Sequence, residues 1–204
     1  IDLFKEKYDY HNVKALLKAE AVGTAPDRML MDMGRVSTAE LAEAVRSREL
    51  DGLPETLAAA VVEAREVLDT TRDPQLSDIV LDRWCYRDMA ALAEETGSAF
   101  LRGYVAVQVD AVNLRTAVRT LRMGKGADFL LGALLEGGDL APDAVAKAAS
   151  SGAAGLRELY GATRFRDAAE AGAEALKGGP LTAFEKLCDD AVSGYLSAAQ
   201  FVPF

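Results

Sequence analysis

The chain has 204 residues, half of them apolar and 27% charged, with a formal net charge of −9. Thirty-seven residues are alanine, against seven Phe, six Tyr and one Trp; that mixture can fill the core of one or two soluble domains and is too apolar for a disordered chain. The longest apolar run, Leu57 to Val62, is six residues, far short of the roughly 18 that a membrane span needs, and the acidic balance excludes a general nucleic-acid binder, which carries basic excess to neutralise phosphates.

The predicted elements are helices throughout. Leu3, Tyr8, Val13, Leu16 and Leu17 fall on one side of a segment from about Asp2 to Val22, which Gly23 stops. Ser37 and Glu40 have the spacing of a capping box ahead of a helix to about Arg48. Pro54, at a first-turn position, opens a helix over Glu55–Asp69 that carries Leu57, Val61, Val62, Val67 and Leu68. Asp73 and Pro74 cap a long helix to about Glu95, with apolar positions at Leu76, Ile79, Val80, Trp84, Met89 and Leu92. Gly97 and Ser98 make the next break, and Ser98 caps a helix to about Met123. Further helices are predicted at about 127–135, 142–150, 153–159, 166–177 and 181–200, separated by Gly137–Gly138, Ser151–Gly152, Gly161 and Gly178–Gly179–Pro180. A brief alternation from Tyr104 to Val109 lies inside the helical pattern, so the fold class is all-α. Abundant alanine favours helix and lets helices approach closely.

Charge is uneven: residues 51–100 hold eleven acids against four bases, and residues 101–150 hold five acids against six bases. Such polarity suits either docking through complementary patches or merely solvated helix faces. Two cysteines, Cys85 and Cys188, make neither a disulfide framework nor a metal site, and the single histidine, His11, has no second ligand near it. Nucleophilic catalysis would rest wholly on His11; beside Asn12 in a strongly periodic helix, it reads better as a packed or hydrogen-bonded residue.

Gly124-Lys125-Gly126 lacks the upstream glycine and the following Ser or Thr of a phosphate loop, and reads as a turn between helices. Adjacent acids at Glu94–Glu95 and Asp189–Asp190 diverge on a helix and suit no paired acid–base role. No catalytic, cofactor-binding or metal-ligating residue is assigned, and no cofactor is expected.

An internal repeat is the most informative feature. At an offset of 101, Asp9-Tyr-His-Asn12-Val13-Lys14 lies over Asp110-Ala-Val-Asn113-Leu114-Arg115, Lys18 over Arg119, and Gly23 over Gly124. At an offset of 103, Leu81-Asp82-Arg83-Trp84-Cys85 lies over Phe184-Glu185-Lys186-Leu187-Cys188, so the cysteines occupy equivalent places in two copies and are not expected to bond. The copies are assigned to residues 1–105 and 106–204. A repeated helical Asn, here Asn12 and Asn113, commonly satisfies a backbone group or fixes packing register, with a small-molecule contact as the functional alternative. Arg115, Arg119, Arg122 and Lys125 form a basic stripe along one helix. Without an aromatic platform, and with the acidic 51–100 region beside it in sequence, the stripe is expected to pair within the protein.

Tyr8-Asp-Tyr-His-Asn-Val-Lys-Ala-Leu-Leu-Lys-Ala19 resembles a segment typical of the C-subunit family of V-type and A-type ATPases, whose eukaryotic vacuolar counterpart is the d subunit. Further stretches resemble the same family in the same order: Ile79 to Trp84, Val109 to Thr116, Leu134 to Leu140, Phe184 to Leu187 and Tyr195 to Phe204. The resemblance implies a non-catalytic, all-helical funnel of three similar sectors in pseudo-threefold arrangement. It further implies a place at the base of the rotary central stalk, on the cytoplasmic face of the membrane. There the family joins shaft subunits to the proteolipid ring and couples ATP turnover to proton or sodium transport. Family members are longer, so the expectation is a piece lacking the sector before the Asp9–Asn12 helix and cut at Val202-Pro203-Phe204. The alternatives are an independent helical-repeat binding module or regulator, which leaves the co-linear matches unexplained, and an all-α enzyme built on His11 or a carboxylate pair. Rotary-ATPase genes alongside would favour the first reading, and a ligand cavity near His11 the enzyme.

Overall fold

The computed structural model describes residues 2–26 and 28–198. The described residues form ten α-helices and no strand: α1 (Asp2–Val22), α2 (Thr38–Ser47), α3 (Glu55–Thr71), α4 (Pro74–Glu95), α5 (Ala99–Arg122), α6 (Ala127–Ala133), α7 (Pro142–Ser150), α8 (Gly152–Tyr160), α9 (Arg166–Leu176) and α10 (Leu181–Ala198). The chain divides into two compact units, Ile1–Thr96 and Gly97–Phe204; residue 105 lies inside α5. The stretch beyond Ala198, including Val202-Pro203-Phe204, lies outside the described residues.

Local chemistry sets the helix ends. The Ser37 side chain accepts from the Glu40 N–H while the Glu40 carboxylate accepts from the Ser37 N–H, so the capping box is complete. Asp73 accepts from Gln75 N–H ahead of Pro74, and Ser98 accepts from Leu101 N–H. α1 and α5 stop in the same way. Gly23 (φ 68°) and Gly124 (φ 69°) adopt the left-handed conformation, and the next residues, Thr24 and Lys125, donate back to Ala19 and Thr120 carbonyls at 2.9 and 3.1 Å. This Schellman closure needs a residue without a Cβ penalty.

In the first unit α4 packs on α1 and α3, and α2 packs on α1. The buried face of α4 is Ser77, Val80, Leu81, Cys85, Asp88, Met89 and Ala93; Ile79 and Trp84 are only half-buried. On α1 the core residue is Tyr10, while Tyr8 is half-buried. Glu6, Asp9 and Asn12 share that buried face and interrupt its apolar periodicity. In the second unit α5 is central and touches α6, α7, α9 and α10. α9 packs on α5, α8 and α10, and its buried residues are Ala168, Ala169, Gly172, Ala173 and Ala175. A Cβ added at Gly172 would lie 3.0 Å from Val118 and 3.1 Å from Phe184, so small residues set this spacing.

Candidate functional site

The Asp-x-x-Asn element of the repeat builds one device twice. In the first unit Asn12 donates from Nδ2 to the Met31 carbonyl and accepts the Met31 N–H at Oδ1, both at 2.8 Å. One turn earlier, the Asp9 carboxylate accepts the N–H groups of Arg35 (2.9 Å) and Val36 (3.2 Å). In the second unit Asn113 closes the same two bonds with Leu135, both at 2.8 Å. Asp110 accepts from Asp139 and Leu140, each at 3.2 Å. A Cβ on Gly34 or on Gly138 would overlap the Asp9 or Asp110 carboxylate, which is why each clamped turn carries glycine there. The clamps end just before α2 and α7, so each fixes where the following helix starts.

All four side chains are 4% exposed or less. A buried amide or carboxylate is tolerable only when its hydrogen bonds are made, and here backbone groups of a non-helical segment make them. Burial pushes the Asp110 carboxyl up to about 6, with the two N–H donors pulling the other way; Asp9 is raised for the same reason. The repeated Asn is therefore a backbone-satisfying residue, in keeping with its repeated helical position. The clamped segments match at an offset of 104 rather than 101, because three more residues separate helix and clamp in the second copy, where α6 lies.

A second correspondence ties the outer face of each first helix to the last helix of its unit. Lys14 pairs with Asp82 at 2.6 Å and Lys18 with Asp78 at 2.5 Å. In the second copy Arg115 reaches Glu185 (2.8 Å) and Asp189 (2.5 Å), and Arg119 reaches Glu185 (2.7 Å). The basic stripe thus pairs within its own unit, with acids of α10 rather than of the 51–100 region. Farther along, Arg122 donates to the Gly179 carbonyl, and the Lys125 ammonium lies 4.0 Å from the Phe129 ring centre.

Cys85 and Cys188 are free, buried thiols in equivalent places on α4 and α10. Burial raises both pKa values, that of Cys188 to about 12, so neither is a nucleophile at neutral pH. His11 is exposed and lies with Nε2 3.1 Å from the Met29 carbonyl, pinning a further point of the same clamped segment. Asp189 and Asp190 turn to different partners, Arg115 and Lys186.

The first unit also holds a polar cluster that sequence reasoning missed. Arg35 donates from Nη1 to the Glu6 carboxylate at 2.7 Å. The Asp88 carboxylate, near enough to act on Glu6 electrostatically, accepts Thr56 Oγ1–H (2.9 Å) and the Tyr10 hydroxyl (3.2 Å). Burial, with Asp88 adding to it, pushes Glu6 up to about 8. The signal lay in the repeat: the residues matching Glu6, Tyr10 and Asp88 are Val107, Ala111 and Ala191, which marks those places as core-facing.

Fold and site define a duplicated helical scaffold whose polar residues are spent on fixing loops and joining helices. The chain matches the ATP synthase (C/AC39) subunit family over residues 1–204 and belongs to that family. It is 30% identical over 167 residues to the C subunit of the V-type ATP synthase of Thermus thermophilus, a match covering 74% of this chain and 52% of that protein. It is 24% identical over 208 residues to the C subunit of the V-type sodium ATPase of Enterococcus hirae, covering 99% of this chain and 61% of that one. The chain therefore spans between about half and three-fifths of these relatives.

Proposed function

We propose that this chain acts as a non-catalytic part of the central stalk of a rotary V/A-type ATPase. It couples the rotating shaft to the membrane proteolipid ring, at the cytoplasmic face, during ATP-linked proton or sodium transport. The observation that carries the reading is the family match along the whole chain, and the names of both relatives, from a V-type ATP synthase and a V-type sodium ATPase, agree with it.

The physics supports the role. A torque-passing part needs stiffness more than chemistry, and the clamps hold each helix–turn–helix connection by side chain to backbone bonds. Closely packed small residues and cross-helix ion pairs add to that stiffness. Among the described residues no helix is long and apolar enough to cross a membrane, which suits a part that sits against the ring rather than in it.

The test is removal and add-back of the protein in a rotary complex reconstituted in vesicles. Without it ATP hydrolysis should continue while ion uptake collapses, and adding it back should restore uptake. Undiminished ATP-driven uptake in its absence would overturn the reading.

A further inference from the structure

The clamped segment is used differently in the two units. In the second, most apolar residues between α5 and α7 turn inward: Leu130, Leu134 and Leu135 are 2%, 4% and 2% exposed, with Leu131 at 44% turned outward. In the first, the corresponding stretch displays Met29, Met31 and Met33, which are 47%, 44% and 57% exposed. The difference is clearest at the clamped position itself, where Leu135 is buried and its counterpart Met31 is exposed. Three neighbouring exposed methionines form an apolar ridge of the adaptable kind used at binding surfaces.

The charges beside the ridge indicate what covers it. In a chain of net charge −9, Lys5 and Lys7 on α1 and Arg28 at the start of the ridge are exposed. None of the three makes an ion pair among the described residues. The Lys7 ammonium lies 5.3 Å from the Tyr8 ring centre, and the one acid described within the ridge, exposed Asp32, accepts the Thr38 N–H. Lys7 stands one helical turn before His11, which is bonded to Met29 itself. Lys14 and Lys18, farther along the helix, are already paired with α4. A partner strand is disfavoured, because Asn12 already occupies both the N–H and the carbonyl of Met31. A membrane surface is disfavoured too: insertion uses a continuous apolar helix face, whereas this segment is non-helical and pinned at Met31, Arg35 and Val36. What fits is side chain on side chain.

We propose that Met29, Met31 and Met33, flanked by Lys5, Lys7 and Arg28, form a docking surface for an acidic amphipathic helix of another protein of the rotary assembly. Its apolar stripe packs on the thioethers and its carboxylates meet the exposed cations. This inference rests on the chain working inside such an assembly, and the test separates the two.

Photo-methionine is incorporated in place of methionine, the assembly is purified and irradiated, and cross-links are mapped by mass spectrometry; co-purification is scored separately. Cross-links from positions 29, 31 and 33 should run to an acidic helical stretch of a different protein of the complex, while buried Met89 links only within the chain. The double variant Lys7→Glu, Arg28→Glu should lower that cross-link yield about tenfold with an unchanged melting curve. Ridge cross-links to lipid, to a second copy of this chain or to nothing in a complex that contains the chain overturn the surface alone. So does an unchanged yield in the double variant. Failure of the chain to co-purify overturns the assembly reading, and the surface with it.

Discussion

Replacing Glu6 by Gln should remove a pH dependence that the first unit carries and the second does not share at the same pH. Glu6 is 1% exposed and bonded to Arg35 at 2.7 Å, with the Asp88 carboxylate acting on it electrostatically. Its carboxyl is raised from 4.5 to about 8, so across that window the folded chain holds a proton that the unfolded chain has lost. Unfolding then releases a proton, and stability is fully present below pH 4.5 and lost as pH rises toward about 8. The slope is at most about 1.4 kcal/mol per pH unit, and the whole shift bounds the loss at roughly 5 kcal/mol. Asp110, raised to about 6, gives the second unit a similar but smaller loss that is complete by about pH 6. The informative window therefore lies between about pH 6 and 8. Trp84 is the only tryptophan and sits on α4 of the first unit, so urea unfolding followed by its fluorescence reads the right half of the chain. The native chain should lose stability across that window, while Glu6→Gln, which keeps the size and cannot ionise, should stay nearly flat. Parallel curves for the two proteins would refute the raised Glu6 carboxyl.

The clamps make sharper local predictions. Asn113→Ala leaves the Leu135 N–H and carbonyl unpaired in the interior and should cost about 2–4 kcal/mol in urea unfolding, two buried groups at the usual desolvation penalty. Gly138→Ala should cost about 1–3 kcal/mol because the new methyl displaces the Asp110 carboxylate. Gly194→Ala, in α10 with open space around it, should instead stabilise by about 0.5–1 kcal/mol in the same assay. Cys85 and Cys188 should resist an aromatic disulfide reagent in the native state and react only on unfolding, so labelling that tracks denaturant rather than time would bear out their burial.

Much of this scaffold is legible in the sequence because its helix ends are written in short-range chemistry. Ser37 with Glu40, Asp73 with Pro74, and Ser98 each announce a start within four residues. Gly23 and Gly124 mark two equivalent stops. The repeated Asn was legible as a structural residue, since an amide at a repeated helical position commonly satisfies a backbone group or fixes register; the role of the repeated Asp was not. Nor were the targets of either, because the bonds run to backbone groups about twenty to thirty residues away, which no side-chain pattern records. That the basic stripe pairs within the protein was legible too, but its partners were not: proximity in sequence pointed to residues 51–100, while the fold brings α10 against α5. Glu6 and Asp88 were illegible one at a time, because a charged residue on a helix is read as solvated until something places it inside.

The two copies, compared position by position, separate the frame from its filling. What both keep is the Schellman stop, the Asp and Asn clamp, the close glycine, the buried cysteine and the ion pair from first helix to last. These are interactions whose loss strands a buried polar group or opens a seam. What differs is how the remaining space is closed. The second copy uses Val107 and Ala111, 3% and 0% exposed, whereas the first uses Glu6 and Tyr10 with Arg35 and Asp88. An apolar filling is indifferent to pH; the polar one is stable only while its proton stays, and it links α1, α3, α4 and the turn before α2 through directional bonds. The turn it braces with Arg35 is the one that displays the methionine ridge. A ridge held by a titratable brace keeps its geometry below about pH 8 and loosens above it. Ridge cross-linking in Glu6→Gln should therefore lose the alkaline decline seen in the native chain.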